Sequence, residues 1–374
     1  MRILLVRLRP IGDVVFTTPL IGALRRHLPH AQVTYVVEPD AAPVVERNPH
    51  IDDLVVPPRR RGLSRIAVDL AVAGQLARRR FDVAIDLHGG PRSAWLTWAS
   101  RAPRRIGYAI AGRAWMYTDA IPRARQLTPR HSVLNQWDLL APLGVPPLDP
   151  ARDPLQMPDD REAASRVDQQ LDRWGVETHH RLVVVHVSAS TRFKRWPEES
   201  FVALVVALVR HDETRRIFLT AGPSDAGAAR RIAHTARQQL GPHAGAVLET
   251  RAFHLSELRA LIARAAAYIG GDSGPLHIAA TTQVPIVELL GPTLAERSRP
   301  WRDPSWFSEI VEPGSLPCRP CHQRTCLPGD FRCLTGIGAD RVINAAERAL
   351  ASRTEAGRPP TPGPNERRIP VVHG

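Results

Sequence analysis

Short runs of Val, Ile and Leu, each followed by a longer amphipathic or polar stretch, recur along this chain in two series. The first holds Ile3–Val6, Gln32–Val37 and Val83–Leu87, and the second restarts at Arg181–His186 and continues through Arg216–Thr220, Ala267–Gly270 and Pro285–Leu290. Near-continuous apolar strands alternating with helical patterns describe a parallel sheet covered by helices on both faces. Two such series predict an α/β chain with two Rossmann-like halves. A length of 374 residues agrees, being beyond what one hydrophobic core usually serves.

Between the series, Pro142, Pro146, Pro147, Pro150, Pro154 and Pro158 break both periodicities and stiffen a linker. This places the halves at residues 1–160 and 161–352. After a last helix over Asp340–Ala351, the stretch Arg358-Pro-Pro-Thr-Pro-Gly-Pro364 offers little to bury, so residues 353–374 read as a disordered tail.

The longest uninterrupted apolar stretch, Phe201–Val209, falls well short of the roughly 20 residues that cross a bilayer. Ile3–Val6, set between Arg2 and Arg7, is too short for a signal-peptide core and reads as a buried strand. Four cysteines, all between Cys318 and Cys333, exclude a chain-wide disulfide framework and suit a reducing cytoplasm. The formal net charge of +13 favours an anionic partner by long-range attraction, or simply marks a solvated arginine-rich surface. No nucleic-acid-binding motif accompanies it.

Three segments bear on chemistry. The first strand runs into Arg9-Pro-Ile-Gly-Asp13, at the strand end that opens on the ligand crevice of a doubly wound sheet. Asp13 there suits either a helix cap or a general base. In the second half, Ile269-Gly-Gly-Asp-Ser-Gly-Pro-Leu-His277 follows a strand and opens a helix. Its glycines permit close backbone approach, while Ser273 and free N–H groups can hold a phosphate; a purely structural turn is the alternative. Neither a Walker loop nor a GxGxxG dinucleotide fingerprint is present, which argues against a nicotinamide dehydrogenase.

The third segment is Ser188-Ala-Ser-Thr-Arg-Phe-Lys-Arg-Trp-Pro197, whose hydroxyls at Ser190 and Thr191 and nearby cations suit a diphosphate. Of 50 Lys and Arg residues, Lys194 is the one lysine. Its retention points to a compact ammonium on a flexible stem, unless it is a chance leftover. Cys318-x2-Cys321-x4-Cys326-x6-Cys333 is spaced for a structural four-thiolate zinc site with His322 as a substitute ligand, or for buried thiols or a local disulfide.

Together these pieces resemble glycosyltransferase family 9, the heptosyltransferases of lipopolysaccharide core assembly. The likeness runs from residue 1 to about 350. It rests on Ile3–Arg7 with Ile11-Gly-Asp13, Phe81–Gly89, Arg105-Ile-Gly-Tyr108, Lys194-Arg-Trp-Pro197, Gly271–His277 and the late cysteines.

The resemblance implies a GT-B fold, with an acceptor-binding half at 1–160 facing a nucleotide-sugar-binding half at 161–352. It implies an inverting single displacement in which Asp13 takes the proton of an acceptor hydroxyl and Lys194 offsets charge on the departing diphosphate. Ser190 and Thr191, with Asp272, Ser273, Gly274, Pro275 and His277, would surround the donor, and Phe253 or Leu255 would border the base. It also implies ADP-heptose as donor, a lipopolysaccharide core or similar glycan as acceptor, and catalysis without a cofactor. A cytoplasmic enzyme touching the inner leaflet of the membrane is the corresponding setting. Another nucleotide sugar, serving capsule, exopolysaccharide or natural-product glycosylation, is the competing reading within the family. A nucleotide-binding protein without turnover is the competing reading outside it. Phe193, before Lys194, departs from the small or polar residue expected there.

Overall fold

A computed structural model describes residues 1–124, 128–189 and 191–356. Ser190 and most of the proline-rich tail, from residue 357 onward, lie outside the described residues.

The first half forms a six-stranded sheet from β1 (Arg2–Val6), β2 (Gln32–Val36), β3 (Asp53–Val55), β4 (Val83–Asp86), β5 (Arg104–Tyr108) and β6 (Asp119–Ile121). The spatial order is β3-β2-β1-β4-β5-β6 with every neighbouring pair parallel, the dinucleotide-fold order. The second sheet has five strands, β7 (Arg181–His186), β8 (Arg215–Thr220), β9 (Ala267–Gly271), β10 (Ile286–Leu289) and β11 (Ser308–Val311), in the order β11-β10-β9-β7-β8 and again all parallel. The sequence pattern located β1, β2, β4, β7, β8, β9 and β10. It missed β3, β5, β6 and β11, which are short or arginine-rich and include three of the four edge strands, where only weak apolar signals survive.

Alternate residues of the inner strands feed different cores. Ile3 and Leu5 face one side of the first sheet, and Leu4 and Val6 the other, where they meet Ala84, Leu76 and Leu96. The inner faces of the two sheets share one apolar cluster, running from Ile3, Leu5 and Ile85 through Phe16, Leu140 and Leu276 to Val184, Tyr268 and Ile286. The far face of the second sheet has its own cluster, closed by the helices Glu198–His211 and Ala339–Ala356. That last helix runs five residues beyond the expected Ala351.

The proline-rich stretch is anchored rather than free. Leu155 and Met157 are buried, Asp153 pairs with Arg26, and Trp301 Nε1 donates to the Asp153 carbonyl at 3.0 Å. It ends where Asp160 caps the helix Arg161–Arg173, accepting from the Glu162 and Ala163 amides at 3.0 and 3.1 Å. Among the described residues no helix is long and apolar enough to cross a membrane.

Candidate functional site

In both sheets the strand order reverses between two neighbours, β1 and β4 in the first and β7 and β9 in the second. Open α/β sheets bind ligands beyond the carboxyl ends of such strands. The segments singled out in the sequence all leave from these points.

After β1 the chain enters the short helix Ile11–Val15, whose N-cap residue is Pro10. Asp13 therefore does not cap it. Its carboxylate, one-third exposed, pairs with Arg7. Arg7 is itself buried and donates through Nη1 to the Leu87 carbonyl at 2.6 Å. A buried cation held by β1 and β4 thus fixes the Asp13 carboxylate at the crevice.

The turn after β4 is shaped by a second carboxyl. Asp86, fully buried, accepts from the amides of His88 and Gly89 at 2.9 Å each, from Ser93 Oγ at 3.0 Å and from Tyr117 Oη at 2.6 Å. Burial raises its pKa, and these donors oppose that shift. Gly89 has φ +74° and sits where a Cβ would come within 2.8 Å of Tyr108, so a side chain is excluded twice over. His88 is pushed down to about 4 by burial and by the Arg7 guanidinium, against the pull of Asp13. It is neutral at physiological pH.

In the second half, Lys194 closes the turn Arg192–Lys194, and its Nζ donates to Asp272 Oδ2 at 2.6 Å. Asp272, mostly buried, also lies 3.7 Å from His277 Nε2. Burial alone would raise its pKa, but Lys194 and His277 hold the carboxyl well below the usual range. Gly271 makes this approach possible, since a Cβ there would lie 3.3 Å from the Lys194 carbonyl oxygen.

Ser273 is the extended N-cap residue of the helix Gly274–Ala279, although its side chain does not cap it; Pro275 sits in the first turn. Thr191 is exposed, and its carbonyl accepts from the Lys194 amide at 3.1 Å.

The two groups meet at the seam between the sheets. The Phe16 and His277 rings pack with their centroids 4.2 Å apart, tilted at 51°, and a Cβ on Gly274 would lie 3.1 Å from Ile11 Cβ. Asp13, Lys194, Asp272, Ser273, Gly274, Pro275 and His277 are thereby brought to one place. Phe253 and Leu255 pack against the same apolar cluster as Phe16 and Leu276, from the second half. Phe253 lies edge-on to Trp174 and Phe218 beneath the Arg251 guanidinium, and Leu255 starts the neighbouring helix Leu255–Arg264.

The sequence reading missed several residues of this region. Arg297 is half-buried, with its pKa lowered by burial and by Arg123, while Asp13 and Asp272 pull the other way. It therefore stands within electrostatic reach of both carboxylates. Arg123 lies 4.6 Å over the Tyr108 ring. In a chain this rich in arginine, no sequence signal separates these two from the rest. Glu288 in β10 is fully buried beside Gly270, and among the described residues neither carboxylate oxygen has a hydrogen-bond partner. Burial and the neighbouring Asp272 push its pKa well above the ordinary value, with Lys194 opposing. Its only trace in the sequence is a lone acid inside an apolar strand.

The four cysteines line one cavity of about 430 Å³ together with His322, Phe193 and Phe331. Cys333 is pushed up to about 11 by burial and by the neighbouring thiols. Among the described residues no group of three or more His, Cys, Asp or Glu side chains is gathered to hold a metal ion. What the region does supply is packing: Phe331 lies edge-on to Phe193 at 5.3 Å, which seats the residue preceding Lys194. That contact accounts for a phenylalanine where a small residue was expected.

Two parallel Rossmann-like sheets meeting at their carboxyl edges define the GT-B fold. Residues 70–330 match the family model for glycosyltransferase family 9 (heptosyltransferase), and the chain belongs to that family. Lipopolysaccharide heptosyltransferase 3 of Escherichia coli K12 is 28% identical over 91% of this chain and 95% of its own length. Lipopolysaccharide heptosyltransferase 1 of Pseudomonas aeruginosa is 27% identical over 87% of each. A family 9 glycosyl transferase from Veillonella parvula superposes with a TM-score of 0.77 at 25% identity, covering 94% of this chain and 97% of that one. ADP-heptose lps heptosyltransferase II of E. coli superposes at 0.74 with 19% identity, over 95% and 100%.

Proposed function

We propose that this glycosyltransferase moves a heptose from ADP-heptose to a hydroxyl of a lipopolysaccharide core or similar glycan, with inversion at the anomeric carbon. The supporting observation is the meeting of Asp13 with the Lys194–Asp272 pair across one seam. The names of the relatives support the donor and the acceptor.

In this reading the acceptor oxygen attacks the anomeric carbon while Asp13 accepts its proton, and the bond from that carbon to the diphosphate oxygen breaks. Lys194 then turns part of its charge from Asp272 to the departing diphosphate, assisted by the amides of Ser273 and Gly274. Asp272 and His277 orient that turn, and Ser190 and Thr191 flank the diphosphate. The half at 1–160 receives the acceptor and the half at 161–352 the donor. No metal enters this scheme, so turnover is expected to survive EDTA. Its setting is the cytoplasmic face of the membrane that carries the acceptor.

The test is incubation with ADP-heptose and a heptose-accepting core, following ADP release and acceptor mass beside an Asp13→Ala variant. Transfer lost in the variant supports both substrate and base. Transfer that survives removes Asp13 from the mechanism. Activity only with another nucleotide sugar moves the protein to another pathway within its family.

A further inference from the structure

The helix Gly62–Arg78 carries two apolar stripes. Val72, Ala73 and Leu76 are buried against the first sheet. On the opposite side Leu63, Ile66 and Leu70 are 84%, 56% and 58% exposed. With the exposed Ala67 and Ala71 they follow the i, i+3, i+4, i+7, i+8 spacing that gathers side chains on one helix face. From Leu63 to Leu70 this stripe runs about 10 Å along the helix. A surface helix of a soluble domain normally turns charge outward here.

The charge lies beside the stripe instead. Arg59, Arg60 and Arg61 immediately precede the helix. Arg59 is paired with Asp40 at 2.7 Å, but neither Arg60 nor Arg61 has a carboxylate partner among the described residues. Arg65 reaches Asp69 only at 3.9 Å, and Asp69 is already held by Arg92 at 2.6 Å. An outward apolar stripe bordered by unpaired arginines complements acidic headgroups above an acyl layer. A neutral apolar partner would leave those cations unanswered.

The position in the fold is also informative. β3 leads to this helix, and its last residue Val55 is in register with Val36, which is in register with Val6. The helix therefore starts at the sheet edge from which β1 continues to Asp13.

We infer that this face docks the protein on an anionic phospholipid bilayer, with Leu63, Ile66 and Leu70 entering the interfacial layer and Arg60 and Arg61 meeting headgroup phosphates. The exposed stripe occupies the half of the helix nearest that edge, so docking keeps the edge carrying Asp13 beside the bilayer, where a lipid-linked acceptor would be presented. The acceptor's identity rests on the proposed function; the docking itself does not.

Sedimentation of the full chain with phosphatidylcholine vesicles, with and without phosphatidylglycerol, tests this without turnover, so an error in donor or acceptor cannot imitate a failure here. The expected result is binding to the acidic vesicles only, weakened at least about tenfold by the triple substitution Leu63→Ser, Ile66→Ser, Leu70→Ser. Arg60→Gln with Arg61→Gln is expected to weaken it also and to flatten its salt dependence. A single Leu63→Trp variant guards against misfolding of the triple: the emission it adds to that of the wild type should shift to the blue on binding and be quenched by brominated lipid. Absence of wild-type binding, binding unchanged in the triple variant, or no quenching of the emission added by Leu63→Trp overturns the inference. So does a triple variant that only changes the oligomeric state, since a second copy would then be what covers the stripe.

Discussion

The backbone of Gly12 lies against the ring of His277, so closely that a Cβ built on the glycine would fall 2.7 Å from His277 Cδ2. This contact joins the helix carrying Asp13 to the helix that follows the Asp272–Ser273 turn. His277 cannot easily yield, being buried and packed against the Phe16 ring. Gly12→Ala must therefore spread the seam or displace the ring, at a cost of about 1–3 kcal/mol. Urea unfolding should show that loss, with a parallel fall in transfer rate. Gly245→Ala is the control, because nothing lies within 4 Å of a Cβ there and its φ is not positive. Equal behaviour of the two variants would refute the close-contact argument.

Asp13 is the base of the proposed reaction. Asp13→Asn keeps the size of the side chain and its oxygen for Arg7 but removes the proton acceptor. The turnover number should fall by about 10²–10⁴-fold. Donor affinity, measured by calorimetry with ADP, should stay within about twofold, because the groups proposed to hold the donor belong to the other half. A variant that loses ADP binding in proportion to activity would place Asp13 in donor binding instead.

Lys194 and Asp272 answer one another at 2.6 Å. Lys194→Ala would leave a mostly buried carboxylate without its main partner, and breaking such a pair costs about 3–5 kcal/mol when burial is complete. Lys194 is one-fifth exposed, so the lower end applies. The sign with pH follows from the depressed pKa of Asp272. Its stabilisation is present above the unfolded value of about 3.9 and is lost as pH falls through the lower folded value. In Lys194→Ala the folded value rises, so acid unfolding should begin at higher pH than in the wild type. Identical acid limbs would mean that the pair contributes nothing.

Much of this arrangement could be read from the sequence, and the reasons for the misses are specific. Periodicity marks elements buried on both faces, hence β1, β4, β7 and β9, and the strand ends carry Asp13, Lys194 and Asp272 with them. The edge strand Asp53-Leu-Val55 buries only its last residue fully, so it left no pattern. Asp13 could be taken for a cap because a sequence does not reveal that Pro10 is the N-cap residue and Arg7 the partner. Arg123 and Arg297 were hidden by composition: where nearly every cation is arginine, residue type carries no information. Leu63, Ile66 and Leu70 look like core residues on a string of letters, and only the packing shows that the helix buries its other face.

Glu288 yields a pH dependence of the opposite sign. Its carboxyl is fully buried without a hydrogen-bond partner among the described residues, and its folded pKa lies well above the ordinary value. The folded state therefore holds this proton more tightly than the unfolded chain, and stability falls as pH rises from about 4.3 toward the raised value. Glu288→Met keeps the length of the side chain and removes both the unpartnered oxygens and the titration. The variant should be more stable than the wild type by about 1–3 kcal/mol at pH 8. At pH 5, less than one unit above the unfolded value, little of this pH-dependent difference between the folded and unfolded states has built up, so the gain should be smaller. Urea unfolding of both proteins at pH 5 and pH 8 decides the matter: a gain that is the same at both values would mean that Glu288 does not titrate between them and that its burial is not what the raised pKa implies.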